Sequence, residues 1–296
     1  DGDGDRVVDP RAARRLEGGV AQVQARASLA VARDAGGVDR CVVRRSMPPL
    51  TLRPTPGEVQ LVGSAAGPLG GDELTLDVHV RPGAALVLRS VAAMMAMPGR
   101  SGEPSRFDLD VRVDAGATLV WNPQPTIAVA GCDHHTCTRV RLGPGAGVLW
   151  REELVLGRFG EASGSLRQRL DVELLDAGGA GTGVPLVRTE VVVGPRYPGS
   201  EGPAGTGGAR AVGSLLLAGP AVAPASRPPG AVGGAFPDVR LEVLEPAGSA
   251  LLVSAVAPHP GALARAFDEL VARWQPLLGG GSRHSVARAG HAVGSE

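Results

Sequence analysis

Apolar and polar residues alternate strictly along several stretches of this chain. Leu74-Thr75-Leu76-Asp77-Val78-His79-Val80 is apolar at every second position, and Pro82-Gly83 then leads into Ala84-Ala85-Leu86-Val87-Leu88. The unit returns as Phe107-Asp108-Leu109-Asp110-Val111-Arg112-Val113 before Gly116-Ala117-Thr118-Leu119-Val120-Trp121. It returns again as Thr138-Arg139-Val140-Arg141-Leu142 before Gly145-Ala146-Gly147-Val148-Leu149-Trp150. A weaker copy, Val239-Arg240-Leu241-Glu242-Val243, turns at Gly248 into Leu251-Leu252-Val253. A period of two marks a strand with one buried face. Glycine supplies the positive φ that a tight turn needs. The turn glycines Gly83, Gly116 and Gly145 are spaced 33 and 29 residues apart, and units that each expose an apolar face gain stability by stacking. The pattern predicts an all-β fold of many short antiparallel strands, in stacked hairpins and layered sheets.

One segment departs from this period. After Pro260-Gly261, the residues Leu263, Ala266, Phe267, Leu270, Val271 and Trp274 follow helical spacing up to Pro276. This is an amphipathic helix near the C-terminus. Its apolar face, with Leu263, Phe267, Leu270 and Trp274, is expected to be buried in its own domain, with a partner interface as the alternative. The first 19 residues and the tail over 279–296 are polar and Gly-rich and read as flexible, leaving one β domain over 20–278. Within it, 194–235 is a Gly/Pro-dense insertion of long loops, in which only 211–218 has the pattern of a strand that could return to the sheet.

Composition narrows the function classes. Lys+Arg and Asp+Glu both number 30, so the chain is formally neutral and has no overall field to hold a nucleic acid. No apolar run is long enough to cross a bilayer as a helix, and no basic segment followed by an apolar core opens the chain. Three cysteines do not suggest a disulfide framework and fit a reducing, cytoplasmic setting. The chain contains no Lys, which excludes Schiff-base chemistry and a P-loop.

Candidate chemistry is sparse. Asp1-Gly2-Asp3-Gly4-Asp5 opens like a calcium loop, but Arg6 and Ala12 replace the residues such a loop requires. Cys132-Asp133-His134-His135-Thr136-Cys137 is the densest set of metal-ligand types. It runs into a strand, where alternate residues face opposite ways, so only Asp133, His135 and Cys137, or else Cys132, His134 and Thr136, could converge. Met94, Met95 and Met97 are soft-ligand types that more often fill core. Glu152 and Glu153 are adjacent and point apart on a strand. No paired catalytic carboxylates, nucleophile elbow or dinucleotide motif is present, so no enzyme is indicated, and the missing acid pair argues against a carbohydrate-active β-solenoid.

The order of several motifs carries more. Gly70-Gly71-Asp72-Glu73-Leu74 leads the first unit, followed by Pro82-Gly83-Ala84 and Leu88-Arg89-Ser90-Val91-Ala92-Ala93. Then come Trp121-Asn122-Pro123-Gln124-Pro125-Thr126-Ile127 and Glu152-Glu153-Leu154-Val155-Leu156-Gly157-Arg158, with Gly160-Glu161 close behind. Over about residues 22–193 this resembles the urease accessory protein D family, also called UreD or UreH. The resemblance implies a mainly β, non-enzymatic maturation factor that binds the apo-urease subunits and the helical accessory protein F. Through F it would meet the nickel-carrying GTPase G. Nickel would be cargo in transit, and no cofactor would be tightly held. Asp72, Gln124 and Glu152 match polar positions of the family motifs and are the path candidates. Asp72 capping a turn and Glu152 pairing with Arg158 are the competing structural roles. Pro125 stands where many members carry an acidic residue, Met94-Met95 where the family has a basic one, and a C-terminal Pro-Arg-x-Trp ending is absent. His134, His135 and Cys137 are the side chains that could compensate. A stand-alone metal-binding protein using Cys132 to Cys137 is the alternative reading.

Overall fold

The computed structural model describes residues 14–17, 20–176, 183–222, 236–246 and 249–278. Numbered along the chain, eight strands of the described residues form a first sheet. They are β1 (Arg14–Glu17), β2 (Val20–Arg33), β3 (Asp39–Arg45), β6 (Glu73–Val80), β9 (Ser105–Val113), β12 (Asp133–Leu142), β14 (Ser165–Leu174) and β15 (Val184–Val193). Ten form a second sheet: β4 (Leu50–Thr55), β5 (Glu58–Gly63), β7 (Ala85–Ser90), β8 (Met94–Ala96), β10 (Thr118–Asn122), β11 (Thr126–Ala128), β13 (Gly147–Leu156), β16 (Ala211–Ala218), β17 (Arg240–Leu244) and β18 (Ala250–Ala257). One α-helix, α1 (Pro260–Trp274), and a 3₁₀ turn at Gln275–Leu278 follow. The all-β class, the layered sheets and the C-terminal helix are as expected.

The pairing within the repeats differs from the expected hairpins. The strands on either side of Gly83, Gly116 and Gly145 do not bond to one another, whereas β17 and β18 of the fourth copy pair antiparallel, as expected of a hairpin. β6, β9, β12 and β14 pair in parallel in the first sheet, and β7, β10 and β13 pair in parallel in the second. The chain therefore crosses between sheets at each Gly83-type turn, and each repeat stacks on the next as one coil of a solenoid. Successive turns bond directly: Gly83 N–H donates to Ala115 O and Gly116 N–H to Pro144 O, both at 3.0 Å. The three glycines have φ of +67°, +64° and +69°, which L side chains rarely adopt. Antiparallel pairing is confined to the flanks, as in β2–β3, β4–β5, β14–β15 and β13–β16–β18.

The alternation places Leu74, Leu76, Val78 and Val80 of β6 opposite Leu86 and Leu88 of β7, in one core between the sheets. Truncating a fully buried residue such as Leu76 is expected to cost about 2–5 kcal/mol. The second sheet is covered on its other face by α1. Its strands β13 and β16 are consequently buried on both sides and lack clean alternation. Gly213 of β16 marks the closest approach, because a Cβ there would lie 2.6 Å from Phe267 Cε2 and 2.9 Å from Glu152 O.

Leu263, Phe267, Leu270 and Trp274 are buried against the chain's own second sheet, as expected, so this face is spent on intramolecular contact and the alternative of a partner interface there is set aside. Of the supposedly flexible first 19 residues, Arg14–Glu17 pairs with β2; 1–13 and 18–19 lie outside the described residues, as does the tail 279–296. Strand 211–218 of the insertion does return, and it sits centrally between β13 and β18. No described helix is long and apolar enough to cross a membrane.

Candidate functional site

The parallel ladder of the second sheet is interrupted at one level. β13 runs unbroken and pairs with β10 through Trp121↔Trp150, then with β11 from Thr126↔Leu154. Between those registers the neighbouring chain leaves the sheet as Pro123-Gln124-Pro125. Neither proline has an N–H to donate, so β10 cannot continue into β11. The preceding repeat makes a matching excursion between β7 and β8, over Val91-Ala92-Ala93. The two excursions are tied together: Gln124 N–H donates to Ser90 Oγ at 2.8 Å and Met94 N–H to Pro125 O at 3.0 Å.

This gap opens a cavity of about 370 Å³ between the sheets. Its second-sheet wall includes Ser90 to Met94, Trp121, Gln124 and Glu152; Thr136 and Thr138 of β12 and Gln168 of β14 form the polar part of the opposite wall. The rest is largely apolar, with Leu50, Leu61, Met94, Phe107 and Leu109 among the lining. Trp121 and Trp150 stack beside it, with ring centroids 5.3 Å apart.

Three ionisable residues, Arg151, Glu152 and Glu153, border the cavity, and of these Glu152 is turned toward the facing sheet. Trp150 Nε1–H donates to its Oε1 at 2.9 Å, Ser214 O–H reaches its Oε2 at 3.4 Å, and Gln168 also bonds the carboxyl. Burial pushes its pKa up to about 7, and these hydrogen bonds only partly oppose that. The suggested Glu152–Arg158 pair does not form; Arg158 is held bidentately by Glu161, at 2.8 and 2.9 Å. Glu153 points the other way, as expected, and pairs with buried Arg151. Arg151 in turn bonds Asn122 Oδ1 at 3.1 Å and Asp268 Oδ1 of α1 at 2.6 Å, which ties the helix to the sheet level where the gap lies.

The remaining candidates are dispersed. Asp72 is buried at the end of the first sheet and accepts from Val23 N–H and Leu69 N–H, both at 2.9 Å, so it caps the chain there and does not line the cavity. Gln124 lies on the cavity rim with an exposed side chain. On β12, Val140 and Leu142 face the core, and with them His134, Thr136 and Thr138; His135 and Cys137 face outward. His134 Nδ1 is 2.9 Å from Ser105 Oγ and its Nε2 is 3.2 Å from Thr136 Oγ1, so both ring nitrogens are engaged. Burial, assisted by His135, lowers its pKa to about 4 and keeps it neutral. His135 Nε2 lies 3.2 Å from Asp133 Oδ1, and Arg196 Nε 3.1 Å from Asp133 Oδ2. Cys132 is buried and its thiol is pushed up to about 11 by burial. Among the described residues no three His, Cys, Asp or Glu side chains converge to hold a metal ion.

Sequence reasoning missed Thr138, Gln168 and Ser214, and named Thr136 only as a possible companion of Cys132 and His134. A signal existed: Gln168 occupies the apolar phase of Leu166, Leu170 and Val172, and Thr136 and Thr138 that of Val140 and Leu142. Polar residues in a buried phase mark a lined cavity as well as a satisfied core.

The sequence profile of the UreD urease accessory proteins matches residues 23–288. The chain belongs to the UreD family. It is 42% identical over 268 residues to urease accessory protein UreD of Parafrankia sp. (strain EAN1pec), covering 84% of this chain and 88% of that protein. It is 40% identical over 300 residues to that of Frankia alni, covering 89% and 97%, and 40% identical over 230 residues to that of Streptomyces coelicolor, covering 76% and 86%. In this UreD-family chain, Ser90-Val91-Ala92-Ala93, the residues Trp121, Pro123, Gln124 and Thr126, and Glu152-Glu153, far apart in sequence, all border one cavity.

Proposed function

We propose that this urease accessory protein is a non-catalytic maturation scaffold. It binds apo-urease, works with the F-type accessory protein and, through it, with the G-type GTPase, and conveys nickel as cargo without keeping it. The observation that carries this reading is the convergence of three segments that resemble family motifs on one cavity, with the Glu152 carboxyl buried in its wall beside Arg151 and Glu153. A conduit needs polar groups that meet a cation without caging it, because tight ligation traps the ion. Glu152 and Gln124 are the path residues on this view. His134, His135, Cys137 and Asp72 are away from the cavity lining, so any part they play lies outside its wall. The three cysteines are free, which supports a reducing, cytoplasmic setting.

Deletion of the gene in a urease-positive host with no second copy tests the proposal. Urease activity and urease-bound nickel should both fall and return on complementation, and the tagged chain should co-purify with urease subunits and the F-type protein. Full activation of urease in the deletion strain would refute it.

A further inference from the structure

Among the described residues the first sheet ends at β15, whose far edge pairs with no other strand. At 10 residues β15 is longer than β1 (4), β3 (7), β4 (6) and β17 (5), which also lie at sheet edges. A long free edge carries a row of unpaired N–H and C=O groups and is a template for a further strand.

The ladder shows which of those groups are free. Ser165 N–H donates to Cys132 O and Leu175 N–H, just past β14, to Leu142 O, both at 2.8 Å. Odd-numbered residues of β14 therefore turn their backbone groups to β12, and even-numbered ones turn theirs to β15. Leu166, Gln168, Leu170 and Val172 pair with Val193, Val191, Thr189 and Val187. Arg188, Glu190 and Val192 are left with N–H and C=O directed outward. Beyond the bulge at Val172/Glu173, Pro185 falls in the outward phase, where its missing N–H costs the sheet nothing and ends the usable edge.

The side chains on this edge are self-complementary. Arg188 and Glu190 are both exposed. A two-fold axis at Thr189 sets Arg188 of each copy opposite Glu190 of the other. These are also the residues with outward backbone groups, so each ion pair coincides with a hydrogen-bonded pair of the new ladder. Charge then keeps alternating across the joint, from Asp171 to its register partner Arg188, and on to Glu190 and its register partner Arg169 in the second copy. Arg188 is loosely held in its own chain, 3.9 Å from Asp171, whereas Glu190 keeps Arg167 at 2.7 Å. On the inner face the same register brings Val187 against Val191, which is only partly buried at the margin of the core. An axis at Arg188 or at Glu190 would set like charges opposite one another, so charge selects a single register.

The geometry points to a homodimer in which β15 pairs antiparallel with β15 of a second copy about Thr189, joining two first sheets into one. The ladder is short, so association is weak and depends on concentration. This goes beyond the maturation reading and does not depend on it.

Sedimentation velocity of the purified full chain, up to about 100 μM, tests it. The chain should pass from monomer to dimer as its concentration rises. Glu190→Arg alone and Arg188→Glu alone each set like charges opposite across the axis, and each should weaken dimerisation about tenfold. Mixed in equal amounts, the two variants again oppose unlike charges and should form a heterodimer as strong as the wild-type dimer, a recovery that a folding defect in either variant could not give. A chain that stays monomeric throughout, dimers that both variants leave unchanged, or variants that do not recover on mixing each overturn the inference. If the chain stays monomeric and the single variants instead lose capture of urease subunits, the edge belongs to a maturation partner; the second copy is then refuted while the maturation reading is supported.

Discussion

Glu152→Gln separates the electrostatics of the cavity from its packing. The Glu152 carboxyl sits inside the sandwich with a pKa raised by burial from an ordinary 4.5 to about 7. Over that interval the folded chain keeps a proton that the unfolded chain has already lost. Stability therefore falls as pH rises from 4.5 to about 7, by about 3 kcal/mol in all. His134 acts in the opposite sense. Its value is lowered from 6.5 to about 4, so its contribution is complete above 6.5 and is lost as pH falls towards 4. Between about 4.5 and 6.5 the two slopes oppose each other, and the wild-type curve conceals both. Glutamine has the shape of the carboxyl and no charge to desolvate, but it cannot accept equally from Trp150 and Ser214, which costs about 1 kcal/mol. The variant should thus be about 1 kcal/mol less stable than wild type near pH 4.5 and about 2 kcal/mol more stable near pH 8. Urea unfolding of both proteins at half-unit pH steps, followed by tryptophan fluorescence, measures that swing of about 3 kcal/mol. A stability difference that stays constant from pH 4.5 to 8 would refute the reasoning, because Glu152 would then not titrate in that range.

Other consequences can be checked in the same apparatus. Gly213→Ala places a methyl 2.6 Å from Phe267 Cε2 and should destabilise by about 1–3 kcal/mol by lifting α1, visible as a lower urea midpoint. Arg151→Met leaves the Glu153 carboxylate buried without its partner and should cost about 3–5 kcal/mol, while Arg151→Met/Glu153→Met should recover most of that loss. Phe159 is fully solvent-exposed on the turn closed by the Arg158–Glu161 pair. Phe159→Ser should therefore leave the thermal midpoint within about 1 °C and reduce light scattering of concentrated protein.

Much of this protein was legible before any coordinates. Alternation fixed which residues of 74–80, 107–113 and 138–142 face the core, because a period of two is a local property of an extended backbone. Helical spacing likewise selected the buried face of α1 residue by residue. Strand partners were not legible: a short Gly turn can close a hairpin or carry the chain across to a second sheet, and the side-chain pattern is identical in both. Only the long-range backbone bonds, such as Gly83 to Ala115, decide for the parallel solenoid. The cavity has the same status. In the sequence Pro123 and Pro125 read only as part of a motif; that they break a strand, and that the matching excursion at 91–93 and the unbroken β13 come into register to make the break an opening, is visible only in the structure. Glu152 stood out in the sequence as a motif residue. Its depth, its hydrogen bonds to Trp150, Ser214 and Gln168, and the unpaired Thr138 hydroxyl on the facing sheet are properties of two layers meeting, and only the tertiary structure brings those layers together.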